Sequence, residues 1–232
     1  DINLDRGTGI KLLNNLQHIY DFALFGSIDY KLNEQLNLRP GLRFTYNTRY
    51  GAPLVPSLNI LFKPKNNLTA RLGYARGFRS PSLKELDLYF IDANHNIRGN
   101  ENLKAETSNS IDASITLQNT SEDLPLKFEV DGFFNDIHNI ITLALVDDVS
   151  QLFTYINLDH YQTAGINFSA TLSNSNYTFN TGFEMLGTYN SLSESNADVS
   201  HFSLSPQFQN NFVWHLTKLK LDAAVYFKNV GT

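Results

Sequence analysis

The sequence predicts an all-β fold, an antiparallel transmembrane β-barrel of which about ten strands are visible. Apolar and polar residues alternate with a period of two in segment after segment. Most segments run for roughly 10 to 14 residues, against the ~9 to 11 that a tilted membrane strand needs and the ~5 to 6 of a globular strand. Short polar turns also alternate with long connections, which is typical of outer-membrane barrels.

The alternation gives each predicted strand two different faces. In the segment 36–46, Leu42 and Phe44 fall on one face while Arg43 and Thr45 fall on the other. The apolar face would meet lipid, and the polar face would line a wet lumen. The predicted strands are 22–32, 36–46, 53–63, 68–75, 107–118, 126–136, 161–173, 177–185, 202–214 and 219–229.

The connections between these strands alternate in length. Short turns are predicted at 33–35, 64–67, 121–123, 173–176 and 217–218, and long connections at 48–52, 79–104, 137–161 and 190–200. Since the short turns of such barrels are periplasmic, the connection 79–104 is predicted to be extracellular, and its many turn-forming residues predict no regular structure there. Pro40 and Pro206 fall inside predicted strands, where we expect a bulge to accommodate each ring.

Composition narrows the class of protein further. Aromatic residues make up 12% of the chain and charged residues only 18%, a mixture suited to strands between lipid and a polar lumen. The net charge of −5 gives no reason to expect a nucleic-acid partner, and the absence of cysteine excludes disulfides and thiolate metal sites. No apolar run reaches the ~18 residues of a spanning helix. Nothing at the start resembles a signal peptide, so we expect a mature chain or an internal piece.

Two segments carry a family resemblance. Tyr74–Leu86 reads YARGFRSPSLKEL and Gly99–Glu106 reads GNENLKAE. They resemble the YxxGFRAPSLxEL and GNPxLKPE segments of TonB-dependent outer-membrane receptors, although Ser80 replaces an alanine, and Glu101 and Ala105 stand where proline is common. The resemblance runs from about residue 20 to the end of the chain, and it includes the stretches Phe134–Ile137 and Asn157–Gly165.

The resemblance implies a bacterial outer-membrane importer rather than an enzyme. Members join an N-terminal plug to a barrel of about 22 strands and take up an iron-siderophore, haem, cobalamin or a glycan. The expected partners are TonB, acting through the plug, outer-membrane lipid, a small-molecule ligand and, for some ligands, a surface lipoprotein; no resident cofactor is expected. Residues 1–232 then form a single partial barrel domain, from which the plug and the terminal strands are absent.

The connection between the two signature segments holds the candidate ligand site. Haem receptors of the family often carry an iron-ligating histidine there, so the resemblance makes His95 a candidate axial ligand, and a metal ligand only if haem is the cargo. A neutral imidazole on an outer loop can bind ferric haem. Tyr89, Phe90 and Arg98 are the other candidate ligand-binding residues. The alternative is an ordinary solvated loop histidine.

Two sets of charged residues allow a functional and a structural interpretation. Arg39, Arg43 and Arg71 fall on the predicted lumen face, where they would steer anionic ligands or, as we favour, pair with acidic residues of the plug or of neighbouring strands. Several carboxylates surround the connection 79–104 and could hold calcium, but no D-x-D-x-D spacing is present, and a solvated acidic loop is favoured. These carboxylates are Glu85, Asp87, Asp92, Glu101 and Glu106.

Two further functions from other classes stay open at this level. A complete small barrel of about ten strands could act as a passive pore or a barrel enzyme, although the six histidines are scattered and no motif joins them to a nucleophile. A soluble glycan-binding β-sandwich is the second alternative. An upstream plug in the full gene would exclude the small barrel, whereas detergent-free solubility of the full protein would favour the sandwich.

Overall fold

The computed structural model describes residues 2–9, 11–12, 16–119, 121, 125–190 and 202–231. These residues form one 14-stranded sheet, one short α-helix, α1 (Leu83–Asp87), and one turn of 3-10 helix (Thr217–Leu219). The strands are β1 (Ile2–Thr8), β2 (Leu16–Ser27), β3 (Tyr30–Lys31), β4 (Leu36–Asn47), β5 (Val55–Lys65), β6 (Leu68–Arg79), β7 (Tyr89–Ile91), β8 (Asn96–Arg98), β9 (Glu106–Asn119), β10 (Leu126–Asp147), β11 (Leu152–Ser173), β12 (Tyr177–Asn190), β13 (Ser203–Leu216) and β14 (Leu221–Val230).

The sheet is an up-and-down meander. Its strands follow the order β1-β2-β4-β5-β6-β9-β10-β11-β12-β13-β14, and each is antiparallel to the next. This open, partial barrel confirms the predicted fold class. The prediction missed β1, whose short and largely polar segment gives only a weak alternation. Of the predicted connections, most of 121–123 and nearly all of 190–200 lie outside the described residues.

The register puts large apolar side chains on one face of the sheet. Leu42, Leu72 and Phe208 are 51%, 46% and 41% exposed, as lipid-facing side chains of a barrel wall must be. Arg43 and Thr45 lie on the opposite face, together with Ala23, which is directly opposite Thr45 on the neighbouring strand. The exposed apolar face is called the outward face below, and the other is called the lumen face.

The bulge that we expected at Pro40 is absent. Pro40 pairs with Leu58 in a register that continues without a shift along β4 and β5. On its other side the ladder is interrupted, since Ile28 donates to the Pro40 carbonyl at 3.1 Å but Pro40 has no N–H to return the bond. The β2 ladder stops at Ser27 and resumes at Tyr30 in the same register. Pro206 likewise pairs with Met185 in a continuous register.

The predicted long connection 137–161 is wrong. The strands β10 and β11 are 22 residues each and pair almost to their ends, with only a tight turn at 148–151. The turn is held by Ser150, which donates to Asp147 Oδ2 at 2.6 Å, and by a left-handed backbone at Gln151. The prediction failed because beyond the membrane both faces of a hairpin are wet, and the alternation disappears while pairing continues.

The connection 79–104 also has more regular structure than its composition predicts. It contains α1 and the short antiparallel pair β7 and β8, and β8 adds in parallel to β11. Ser82 and Glu85 form a reciprocal capping box at the start of α1, a signature present in the sequence SLKE. Among the described residues, no helix is long and apolar enough to cross a membrane.

Candidate functional site

The connection between β6 and β9 folds onto the lumen face of the barrel wall. Leu83, Leu86 and Leu103 are at most 4% exposed and pack with Ile19 of β2. This cluster is the small hydrophobic core of the described residues, and burial of each leucine stabilises it by about 1.5–3 kcal/mol. Partly buried residues of three other elements close around it, namely Tyr50, Ile141 and Tyr155. The connection is therefore an anchored loop, and it is called the anchored loop below.

An arginine clamps the two ends of the anchored loop. Arg79 Nη1 lies 3.0 Å from Glu85 Oε2, and Arg79 Nε donates to Glu106 Oε2 at 2.7 Å. Hydrogen bonding to Glu106 and Glu85 raises the pKa of Arg79 despite its partial burial. Burial by itself would raise the pKa of Glu85, but the hydrogen bonds from Arg79 and Ser82 outweigh it and hold that pKa below its usual range. Both carboxylates therefore join the two ends of the anchored loop through Arg79.

A buried carboxylate lies at the end of α1. Asp87 has no exposed surface and pairs with Arg49 across 3.3 Å, and burial raises the pKa of its carboxyl although Arg49 opposes the shift. Gly99 lies against the same turn, where an added Cβ would collide with the Leu86 carbonyl. The glycine of the second signature segment is therefore required by close packing against the first.

Asparagines join the anchored loop to β11. Asn157 accepts a hydrogen bond from the Lys104 backbone N–H at 2.8 Å and donates to the Lys104 and Asn139 carbonyls. Asn100 donates to the Tyr155 carbonyl at 2.9 Å. The predicted acidic cluster does not form a calcium site among the described residues. Glu85 and Glu106 both pair with Arg79, whereas Asp87 pairs with Arg49 and Asp92 with His95.

The tip of the anchored loop is the tight turn between β7 and β8. Asp92 Oδ1 accepts hydrogen bonds from the backbone N–H groups of Asn94 and His95, each at 2.9 Å, and from His95 Nδ1 at 2.9 Å. These bonds lower the pKa of Asp92, with the bond from Asn94 contributing most. Because Nδ1 carries the donated proton, Nε2 of the neutral imidazole keeps its lone pair for a ligand.

A cavity of about 490 Å³ opens beside this imidazole. Six residues of its wall come from the β7–β8 turn and β8, including His95 and Ile97, and four come from the β10–β11 hairpin, including Leu143 and Phe153. The sequence reasoning missed these four, because it placed those residues in an unstructured connection. The two long strands bring them here, and residues of both elements therefore surround one volume typical of small-molecule sites.

The remaining candidate ligand-binding residues lie on the antiparallel pair β7 and β8. Phe90 stacks on His95 with ring centroids 4.9 Å apart, and Lys11 Nζ lies 4.3 Å from the Phe90 ring. Tyr89 and Arg98 are cross-strand partners and pack on each other at 5.6 Å, outside the cavity wall that the described residues form. Their role in binding stays a prediction.

The three predicted lumen arginines lie on the lumen face. Arg39 pairs with Asp29 of the neighbouring segment, in keeping with the structural interpretation. Arg43 lines a second cavity of about 780 Å³ on the lumen face, whose wall also includes Asp21 and Arg79. Arg71 is exposed on that face of β6. Whether these side chains steer a ligand or pair with a plug stays a prediction.

The model of the β-barrel of TonB-dependent receptor-like proteins matches residues 3–230. The chain belongs to this family. Its members are bacterial outer-membrane proteins, which confirms the predicted location, and the relatives are receptors rather than enzymes.

Curated relatives of this TonB-dependent receptor barrel match about half of the chain. The ferrienterobactin receptor of Escherichia coli is 28% identical over 143 residues, covering 54% of this chain and 18% of that receptor. The hemoglobin and hemoglobin-haptoglobin-binding protein C of Haemophilus influenzae is 33% identical over 119 residues, covering 51% of this chain and 10% of that protein.

Solved structures show the same fold over nearly the whole chain. The siderophore receptor PirA of Pseudomonas aeruginosa has a TM-score of 0.76 at 19% identity, covering 99% of this chain and 41% of that one. The Serratia marcescens hemophore receptor HasR has a TM-score of 0.73 at 14% identity, covering 100% and 47%. This chain therefore spans less than half the length of either structure.

Proposed function

We propose that this barrel segment belongs to a TonB-dependent uptake receptor that captures haem, with His95 as an axial ligand of the iron. The observation that carries the proposal is the pair of Asp92 and His95 beside the outer cavity. A carboxylate that accepts the Nδ1 proton orients the ring and makes Nε2 a better metal ligand, the arrangement seen around metal-bound histidines in general.

The cavity wall suits a flat apolar macrocycle. Ile97, Leu143 and Phe153 supply apolar surface, while Ser150 and Gln151 supply polar groups. Haem needs one iron ligand, an apolar slot and polar groups for its carboxylates, and these are the groups that meet here. A volume of about 490 Å³ lies within the range of small-molecule sites.

A ferric siderophore is the second candidate ligand. Two cationic side chains lie over aromatic rings of β7, Lys11 over Phe90 and Arg98 over Tyr89. Such pairs form a positively charged, aromatic surface that suits an anionic aromatic iron chelate. Several relatives are receptors for ferric enterobactin by name, which supports this candidate.

Import would proceed through the lumen. The cavity that includes Arg43 lies on the lumen face directly below the anchored loop, where a plug would fill the barrel. We propose that the ligand is captured at the tip of the anchored loop and released inward when TonB acts on the plug. This part of the proposal rests on membership of the family.

The test compares His95→Ala with the unmodified full-length receptor. Loss of the imidazole should weaken haem binding at least tenfold and slow growth on haem as the iron source, while surface expression stays unchanged because His95 is an exposed loop residue. His18→Ala, at an exposed histidine on the outward face of β2 that does not line the cavity, is the matched control and should bind haem normally. Unchanged haem binding by His95→Ala would overturn the haem proposal, and binding of a ferric catecholate siderophore would then identify the second candidate.

A further inference from the structure

A group of potential metal ligands, separate from the pair of Asp92 and His95, lies on the outward face of the hairpin formed by β10 and β11. Asp136 and His138 are two residues apart on β10, so their side chains share a face, and His160 of β11 is directly opposite His138. Among the described residues, these three side chains are the group of potential metal ligands that meets the criterion of closeness. Their three ligand atoms all lie within 4.8 Å of one another.

The height of this group on the barrel wall follows from strand length. Counting from the short-turn end, Asp136 is the eleventh residue of β10, which begins at Leu126. A tilted membrane strand uses ~9 to 11 residues, so lipid ends near Asp136. Phe134, two residues nearer the membrane on the same face, is 40% exposed and apolar. His138 and His160 therefore stand at the outer boundary of the membrane, where water and ions reach them.

The potential ligand atoms of the group lie close together. His160 Nε2 lies 2.5 Å from Asp136 Oδ1, and His138 Nε2 lies 3.3 Å from Asp136 Oδ2. The two imidazole rings are stacked, with centroids 4.9 Å apart and planes 6° apart. The three ligand atoms thus lie within 4.8 Å of one another, and ligands of a zinc ion, at ~2.0–2.2 Å from the metal, are about 3–4 Å from each other, so small rotations of the side chains would complete the site.

Neighbouring side chains hold the ligands in place. Gln162, cross-strand from Asp136, donates to Asp136 Oδ1 at 3.0 Å. The ring of Tyr189 packs edge-on against His160 at 5.6 Å. Supports of this kind fix the orientation of metal ligands and contribute strongly to affinity. The side chain of His138 is 48% exposed, so further coordination positions are open to water or to an outside group.

We propose that this outward-facing group binds one divalent transition-metal ion, with His138, His160 and Asp136 as ligands. Two imidazoles and one carboxylate form a set that suits Zn²⁺, Ni²⁺ or Cu²⁺ and disfavours Ca²⁺ and Mg²⁺, which prefer oxygen ligands alone. The ion would join β10 to β11 where the hairpin leaves the membrane. The site lies on the outer surface of the barrel wall, and its existence does not depend on the haem proposal.

The test uses the full-length receptor in detergent, stripped of metal with a chelator and titrated with Zn²⁺ by calorimetry. The double variant His138→Gln/His160→Gln should lose one equivalent of bound Zn²⁺, and either single variant should bind that equivalent at least tenfold more weakly. Glutamine retains polarity and size, and heat-modifiable migration of each variant checks folding. His18→Gln is the matched control, since His18 is an exposed histidine on the outward face of β2.

Binding of Co²⁺ provides a second measurement. The unmodified receptor should give the visible absorption of cobalt with nitrogen and oxygen ligands, and Asp136→Asn, which removes the charge of the carboxylate but keeps the size of the side chain, should weaken it. Retention of the same zinc equivalent by the double variant, or the absence of a stoichiometric site in the unmodified receptor, would overturn the proposal. The group would then be an ordinary hydrogen-bonded cluster at the membrane boundary.

Discussion

Single residues of the anchored loop have roles that differ from those their chemistry first suggests. Glu85 and Glu106 resemble candidate metal ligands in the sequence, but both are occupied by Arg79, and Glu106 also accepts the Ile141 N–H at 2.6 Å. Asp92, the third carboxylate that might have bound calcium, orients the imidazole of His95. A carboxylate with a committed basic partner is unavailable to a cation, whatever its neighbours in the sequence are.

Glu85→Gln should loosen the anchored loop without unfolding the barrel. The change removes the charge that pairs with Arg79, at a cost of about 0.2–1 kcal/mol, whereas glutamine can keep the capping box of α1. Hydrogen exchange across 80–105 in the full receptor should therefore be faster. Lys84→Ala is the control in the same helix, and equal exchange in both variants would show that Glu85 does not stabilise the loop.

The same variant should respond less to acid. The pKa of Glu85 is lowered by folding, so its contribution to stability is present above its ordinary value of 4.5 and is lost as the pH falls through the lowered folded value. Exchange rates of the unmodified receptor and Glu85→Gln should therefore differ at neutral pH and converge in the acid range. A constant difference across that range would contradict the assignment.

At the scale of the strand, the solvent determines how much of the fold can be read from the sequence. Within the membrane each strand has one lipid face and one lumen face, and the two-residue alternation is strict. The same strands β10 and β11 lose the alternation beyond the membrane, although their backbone pairing continues to Asp147 and Leu152. A strand can therefore be predicted from the sequence where its two faces meet different environments. Backbone hydrogen bonding alone leaves no such pattern.

Leu42→Arg should destabilise the barrel far more than Thr45→Arg. Leu42 is on the outward face, six residues along β4 from Leu36, whereas Thr45 is on the lumen face and lines its cavity. An arginine facing lipid near the middle of the bilayer costs about 2–4 kcal/mol, and the lumen is wet. Reversible unfolding of the full receptor in urea with lipid vesicles would measure both. Equal losses of stability, or the reverse order, would show that the two faces are assigned wrongly.

At the scale of the whole molecule, the described sheet has two ends. The strands β1 and β14 each pair with one neighbour among the described residues, and lipid does not tolerate an unpaired strand edge. The matched structures continue well beyond this segment, since it covers 41% of PirA and 47% of HasR. We therefore propose that further strands close the barrel.

The 232-residue chain expressed alone should not close into a stable monomeric barrel. It should aggregate or pair edge to edge, because each free edge exposes unsatisfied backbone groups to lipid. Migration on gels with and without heating would show this, with the full-length receptor as the control. A heat-resistant monomer in detergent, with β1 hydrogen-bonded to β14, would instead support a complete small barrel.

The sequence by itself determined most of the membrane-crossing strands, their faces and the family, and missed only the weakly alternating β1 among the strands of the wall. Leu42 and Arg43 could be assigned to opposite faces because alternation is a local consequence of lipid on one side and water on the other. The two signature segments identified the family because their glycines and charges are fixed by close packing, as Gly99 and Arg79 show.

Only the tertiary structure decided what meets at the two sites. Leu143 and Phe153 reach the cavity of His95 through β8 adding to β11, a contact between segments 56 residues apart. His138 and His160 meet because the turn between β10 and β11 is tight, and a difference of one residue in the register would move one of them to the lumen face. Pairing between distant strands depends on register, and register is a property of the folded sheet that residue type and spacing do not contain.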